Sequence, residues 1–287
     1  MHAIILGLLD GLSFAGILFM LASGLSLVMG TMGTLNMAHG ALYMVGAYVG
    51  WSVAVEHHAG IIAGALAAGA CAGAVGLVME LGFFRRLAGR PDDQIIMSFG
   101  FVYILTSLVQ IIWGTAGKPP FVLPPFTSQI QIGDITYPTA RLVVTAVAVV
   151  VALALAALQG CTRLGSVVRA AMDDAETARS LGLRIELAFV AVFVAGSFVA
   201  GLGGLLGGAI LGASTSLAID VLVLSLVVVI VGGVGSIAGS LLASVVIGLA
   251  ISFGTQLSFG SFAIYVAMIV VLLIRPFGLL GRQFRQA

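Results

Sequence analysis

Side chains able to do chemistry are few in this chain, and they fall in a handful of places. Asn36 and His39 interrupt an apolar stretch within GTMGTLNMAHG, residues 30–40. A neutral polar pair at a helix break can line a solute path, with the next helix offering free N–H groups and its dipole to a carboxylate. The same pair can equally cap that helix and hydrogen-bond between helices. Asp220 follows Ser214-Thr215-Ser216 and precedes the apolar run 221–233. It can cap the helix it begins, or stand in a pathway and meet an ammonium group or an external protein. Asp10, Glu56, His57 and His58 fall near the ends of apolar runs, and Glu80, about one turn before Arg85, is expected at the cytoplasmic interface. The His pair has no further ligands nearby and reads as an exposed loop rather than a metal site. Cys71 lies in an apolar run and Cys161 in a polar loop, which suggests neither a disulfide framework nor a zinc site. No Ser/His/Asp, Cys/His or paired-carboxylate constellation has useful spacing, and intramembrane charge is too sparse for a proton relay. Enzyme chemistry finds no support.

The elements that must position these residues are membrane helices. Of 287 residues, 61% are hydrophobic and 8% charged, with a mean hydropathy of +1.22. Soluble domains carry roughly a quarter charged residues, so an ordinary water-facing surface cannot be covered. At ~20 apolar residues per spanning helix, the length leaves no room for a separate catalytic domain. The net charge of +1 gives no field that would recruit nucleic acid. The apolar runs are long and continuous rather than alternating, as helices rather than barrel strands require. The N-terminus, Met1-His2-Ala3-Ile4, lacks a basic n-region and is expected to stay as a mature span.

Apolar segments run over 3–29, 38–55, 60–83, 94–113, 139–158, 187–210, 217–233, 238–256 and 260–274. This predicts an all-α polytopic bundle of eight or nine transmembrane segments, forming one permease domain over 1–287. Ten of the twelve Lys and Arg lie in three regions: Arg85, Arg86, Arg90; Arg163, Arg169, Arg179, Arg184; and Arg275, Arg282, Arg285. The positive-inside rule makes these cytoplasmic and places 114–138 outside, with its Pro119, Pro120, Pro124, Pro125 and Pro138. Lys118 and Arg141 flank that external stretch. Three segments before Arg85 then put the N-terminus outside and, with nine crossings, the C-terminus in the cytoplasm.

Glycine pairs at helix-packing spacing recur at Gly7/Gly11, Gly46/Gly50, Gly69/Gly73, Gly203/Gly207, Gly204/Gly208 and Gly208/Gly212. With 39 glycines, single pairs arise by chance, but the density over 196–212 predicts a tightly packed segment. Two glycine-broken junctions, 30–40 and 232–240, each end one apolar run and open another, both on the cytoplasmic side by counting crossings.

The long polar stretch, 159–186, contains an amphipathic helix. Val167, Val168, Ala171, Ala175, Ala178 and Leu181 recur at helical spacing, while Arg169, Asp173, Asp174, Glu176 and Arg179 take the other positions. Gly182 follows as a stop. Such a helix, 166–181, could dock a soluble partner or serve only as a solvated connector.

These stretches carry a resemblance. Arg169-Ala170, Asp173, Ala178 and Gly182-Leu183 resemble the cytoplasmic loop by which ABC-importer permeases contact their ATPases. Leu35-Asn36-Met37-Ala38-His39-Gly40, followed by Ala41-Leu42-Tyr43-Met44, looks like the first-break signature of LivH-type branched-chain amino acid permeases. Val231-Gly232-Gly233-Val234-Gly235-Ser236-Ile237-Ala238-Gly239 is similar to that family's second glycine motif. The three occur in family order and the resemblance spans nearly the whole chain, although the cytoplasmic loop departs from the Glu-Ala-Ala wording of other importer classes. It implies a bacterial inner-membrane permease subunit for leucine, isoleucine and valine. Its partners would be a homologous, LivM-like permease subunit, two ABC ATPases and an extracytoplasmic solute-binding protein. Arg169, Ala170, Asp173, Asp174, Ala178, Gly182 and Leu183 would couple to the ATPase. Asn36, His39, Gly40, Asp220, Gly232, Gly233 and Gly235 would belong to the translocation pathway. No cofactor would be bound: a Walker A loop needs a lysine, and the one lysine, Lys118, stands in Gly-Lys-Pro-Pro. ATP and Mg would be used by other chains. The same machinery carrying urea, short amides or other amino acids, and a channel or carrier working alone, are the competing readings.

Overall fold

The computed structural model describes residues 2–121, 127–132, 135–257, 260, 262–276 and 278–281; Pro124, Pro125, Arg282 and Arg285 lie outside this set. The helices are α1 (His2–Met32), α2 (His39–Trp51), α3 (Gly60–Gly82), α4 (Pro91–Trp113), α5 (Thr139–Cys161), α6 (Arg163–Ser180), α7 (Ile185–Leu211), α8 (Leu217–Gly232), α9 (Ile237–Gln256) and α10 (Phe262–Ile274). A π-helical turn, Ser52–Glu56, extends α2, and a 3-10 turn, Phe84–Leu87, follows α3. Each apolar run corresponds to one of these helices. Among the described residues six are long and apolar enough to cross a membrane: α1, α3 with its 3-10 turn, α4, α5, α7 and α9. α8 and α10 are apolar but shorter, with 16 and 13 residues.

One element was not expected. Within the proline-rich stretch, β1 (Gln129–Ile132) pairs antiparallel with β2 (Ile135–Pro138), setting Ile130 opposite Tyr137. The alternation Gln-Ile-Gln-Ile before Gly133-Asp134 is the sequence signal for such a hairpin.

The centre of the bundle is α1, α2 and α7, with α3 packed on α7 and α9 on α1. Glycine makes this possible, because without a Cβ two backbones can meet. A Cβ on Gly24 of α1 would lie 2.9 Å from the Gly196 Cα of α7, and one on Gly204 would strike the Tyr43 backbone of α2. The dense glycine stretch is therefore the packed helix it was expected to be. Around this centre, α4, α5 and α10 present outward apolar faces, with Ile111 78%, Leu153 66% and Leu273 80% exposed. Faces this broad belong against lipid or protein rather than water.

The bundle has two distinct ends. At one, the first turns of α1 approach the hairpin and the start of α5, and the ends of α2, α4 and α7 come together. Tyr48 packs on Trp113, and Lys118 exchanges backbone hydrogen bonds of 2.7 and 2.9 Å with Ala213. At the other end, the close of α1 meets the turn after α8, beneath α6.

Candidate functional site: two glycine junctions and a polar helix

The first junction is built by capping. The Asn36 Oδ1 accepts from the Ala38 N–H at 3.0 Å, turning the chain into α2. His39 opens that helix, and its Nε2 donates to the Leu21 carbonyl of α1 at 2.9 Å. Both residues are 1% exposed. The capping and interhelical roles are thus occupied, and neither side chain faces an open path in this conformation. Asn36 Nδ2 and His39 Nδ1 remain buried without a partner. Gly40 lies against Ala218 and Leu222 of α8.

The second junction follows α8. Gly232 packs on Gly239; Gly233 and Gly235 have φ of +97° and +78°, the left-handed region that favours glycine. Ser236 caps α9 by accepting from the Gly239 N–H at 3.0 Å. From further along the chain, Leu279 N–H donates to the Val231 carbonyl at 2.7 Å and Leu280 N–H to that of Gly232 at 3.1 Å. These two carbonyls would otherwise end α8 unsatisfied.

The junctions touch. A Cβ on Gly30 would lie 2.5 Å from the Gly235 Cα, and the Gly235 N–H donates to Ser26 Oγ of α1 at 3.0 Å. Sequence counting placed both breaks on one side; it gave no sign that they share a contact.

α6 lies at this same end. Thr162 caps it, its Oγ1 accepting from the Gly165 N–H at 3.0 Å. The helix closes with paired bonds from Gly182 N–H to the Arg179 carbonyl and from Leu183 N–H to that of Ala178, with Gly182 at φ +80°. Gly182 is thus the stop its position suggested. Two details depart from expectation. The helix is not continuous: Asp174 has φ −160° and ψ 101°, and its carboxylate caps the second piece, accepting from the Glu176 and Thr177 N–H groups at 3.0 Å each. The Thr177 hydroxyl also donates to it at 2.6 Å, and these bonds hold the Asp174 carboxyl below its usual range. Leu181, expected on the apolar face, is 75% exposed, because the chain leaves the helical path there to form its C-terminal turn.

Of the residues assigned to coupling, Asp173, Asp174 and Gly182 are exposed, and Arg169, Ala170 and Leu183 are half-buried. Ala178 is buried with Ala171 and Ile185, so it fastens α6 to its own chain. Arg179 pairs with Glu186 at 3.1 Å across the turn into α7. Asp220 is exposed in the first turn of α8, between Ala218 and Leu222, which lie against Gly40 at the start of α2. Glu80 is only 2% exposed, buried in α3 rather than facing an interface.

The arrangement is a pair of glycine turns in backbone contact beside a polar helix. Comparison with known proteins agrees. Residues 7–274 match the family described as branched-chain amino acid transport system, permease component. The chain belongs to that family. It is 27% identical to the high-affinity branched-chain amino acid transport system permease protein LivH of Escherichia coli K12, covering 95% of this chain and 94% of the relative. The LivH protein of Salmonella typhimurium LT2 is 26% identical with the same coverage. The BraD permease protein of Pseudomonas aeruginosa is 25% identical over 96% of this chain and 95% of its own. This is therefore a LivH-type permease: an all-α, multi-pass inner-membrane protein whose role is transport rather than catalysis.

Sequence reasoning missed two groups that hold the permease together. Gln94, buried at the start of α4, donates to the Phe84 and Leu87 carbonyls at 3.3 and 3.0 Å and accepts from the Thr34 hydroxyl at 2.8 Å. It ties the basic loop at Arg85, Arg86 and Arg90 to the first junction; a glutamine just after Pro-Asp-Asp was its only trace. At the far end Arg141 pairs with Asp10, and the Tyr137 hydroxyl donates to Asp10 at 3.1 Å. Burial, with the Asp10 charge adding, pushes the Tyr137 phenol up to about 12.

Proposed function

We propose that this permease is the membrane subunit of an ATP-driven importer for leucine, isoleucine and valine. It works with a homologous, LivM-like permease subunit, two ATPase subunits that use ATP and Mg, and an extracytoplasmic solute-binding protein. The cargo rests on relatives over the full chain that are named for branched-chain amino acid transport. The chain forms one domain over 1–287, with a coupling loop at 159–186 and an external loop at 114–138.

One observation carries the coupling role. α6 has one face buried against its own bundle through Val168, Ala171 and Ala178, while Arg163, Asp173, Glu176 and Arg179 stand outward. A helix docked on one side and charged on the other is ready for a soluble partner. The α6 end carries the basic loops, so it is the cytoplasmic end. The end holding Asp10, Lys118 and Arg141 is external. The chain then runs from an outside N-terminus to a cytoplasmic C-terminus in nine crossings, the shorter α2, α8 and α10 included. In support, the first turns of α1 lie by the hairpin and the start of α5, and its close lies by the turn before α9.

ATP-driven closure of the ATPases moves α6, and the pathway between the two permease subunits then faces alternate sides. Asn36, His39, Gly40, Gly232, Gly233 and Gly235 act as the joints of this motion, and Asp220 stands near the external mouth. Deleting 166–181 tests the assignment. Uptake of labelled leucine should be lost while the chain still inserts in the membrane; persistence of ATP-driven uptake would remove the role given to α6. Competition by excess urea or short amides, but not by isoleucine or valine, would overturn the cargo.

A further inference from the structure

α6 lies over the contact between the two junctions, and one of its side chains reaches both. Met172 is half-buried, and its terminal methyl covers Gly30 and Gly235 together. A Cβ on Gly30 would come within 2.9 Å of that methyl, and a Cβ on Gly235 would collide with it. Met172 sits on the first piece of α6, which Thr162 caps onto the end of α5, just before the break at Asp174.

We infer that Met172 is the positioning residue through which α6 acts on both glycine junctions at once. The inference rests on the reading that α6 receives the ATPase. The physical argument is one of surface shape. Gly30 and Gly235 offer a smooth backbone floor with no side chain to lock a knob in place. An unbranched thioether with three rotatable bonds keeps contact over such a floor as the parts shift. Gly30 belongs to α1 and Gly235 to the turn between α8 and α9, so displacement of one methyl is felt by three membrane helices. A single contact thereby links the moving helix to the two breaks, and a rigid or polar residue would not serve in its place.

The fully assembled importer in proteoliposomes, with leucine as solute, provides the test. Met172→Ala should lower the amount of leucine moved per ATP hydrolysed about tenfold, and Met172→Leu should restore it to within about twofold. That ratio does not respond to a change in the amount of folded complex. An alanine variant with the wild-type ratio overturns the inference. Should Met172→Ala fail to assemble, Met172→Gln, which keeps the length of the side chain but makes its tip polar, gives the second measurement. Leucine moved per ATP should fall about as far as expected for the alanine variant. A wild-type ratio in Met172→Gln refutes the contact. Crosslinking of Arg169 or Asp173 variants to the ATPase chains reads the underlying assignment separately: contact there with an unchanged Met172→Ala ratio sinks this inference alone.

Discussion

The two ends of this permease are fastened by different forces. At the end away from α6, charge and hydrogen bonds hold the helices: Asp10 with Arg141 and Tyr137, the ammonium of Lys118 4.4 Å over the Trp51 ring, and the backbone bridge from Lys118 to Ala213. These are directional contacts, each with one good geometry. At the α6 end Gly30 meets Gly235 under the Met172 methyl. Van der Waals contact there is non-directional and individually weak, beside one hydrogen bond from the Gly235 N–H to Ser26. The difference teaches where motion can enter: the far end is stapled by ion pairs and aromatic contacts, whereas the α6 end adds a smooth glycine contact to its hydrogen bonds.

This contrast can be broken most severely at the α6 end. Gly30→Val forces a branched side chain between the α1 backbone, Gly235 and Met172. It should destabilise the protein by about 3 kcal/mol and abolish transport, read as a lower unfolding temperature in detergent together with lost uptake. The outer staple is weaker. Asp10→Asn removes one charge of a pair whose members are each about a third exposed. Solvent screens such a pair, so the loss should be about 1 kcal/mol, with leucine moved per ATP unchanged; a changed ratio would show that the outer end also transmits motion. Tyr137 sharpens the point through pH. Its phenol is held neutral up to about 12, above its ordinary value of 10.0. A folded-state pKa raised this way contributes stability that is complete below the unfolded value and lost as pH climbs through the folded one. The stability gap between wild type and Tyr137→Phe should therefore narrow between pH about 10 and about 12. A gap that stayed constant would mean the phenol carries no such preference. The smallest effect belongs to Trp51→Leu, which removes the ring beneath Lys118 and should cost about 0.5 kcal/mol in thermal stability.

The helices were legible in the sequence because burial in lipid demands continuous apolar runs, and such runs show in the residues themselves. Gly182 was legible for a similarly local reason: a left-handed turn after a helix needs a residue without a Cβ. The hairpin at 129–138 left a period-two signal that the surrounding prolines obscured. The break at Asp174 was hidden because an aspartate two and three residues before its N–H partners looks the same on a helix surface as at a cap. Other features had no local trace at all. Asp10 and Arg141 are far apart in the chain, and their pairing follows from how α1 and α5 lie together. The meeting of Gly30 with Gly235 is likewise a product of packing. For the same reason the sequence could place Asn36 and His39 at a break but could not reveal that Leu21 and Ala38 already engage them.

Leu279 and Leu280 close the last turn of α8, although they are joined to the chain only after α9 and α10. During synthesis α8 is therefore made with two of its last carbonyls left to water, and a late stretch of polypeptide finishes it. The order of translation is in this way also an order of assembly. The junction stays open while the helices around it are laid down, and it is sealed from behind.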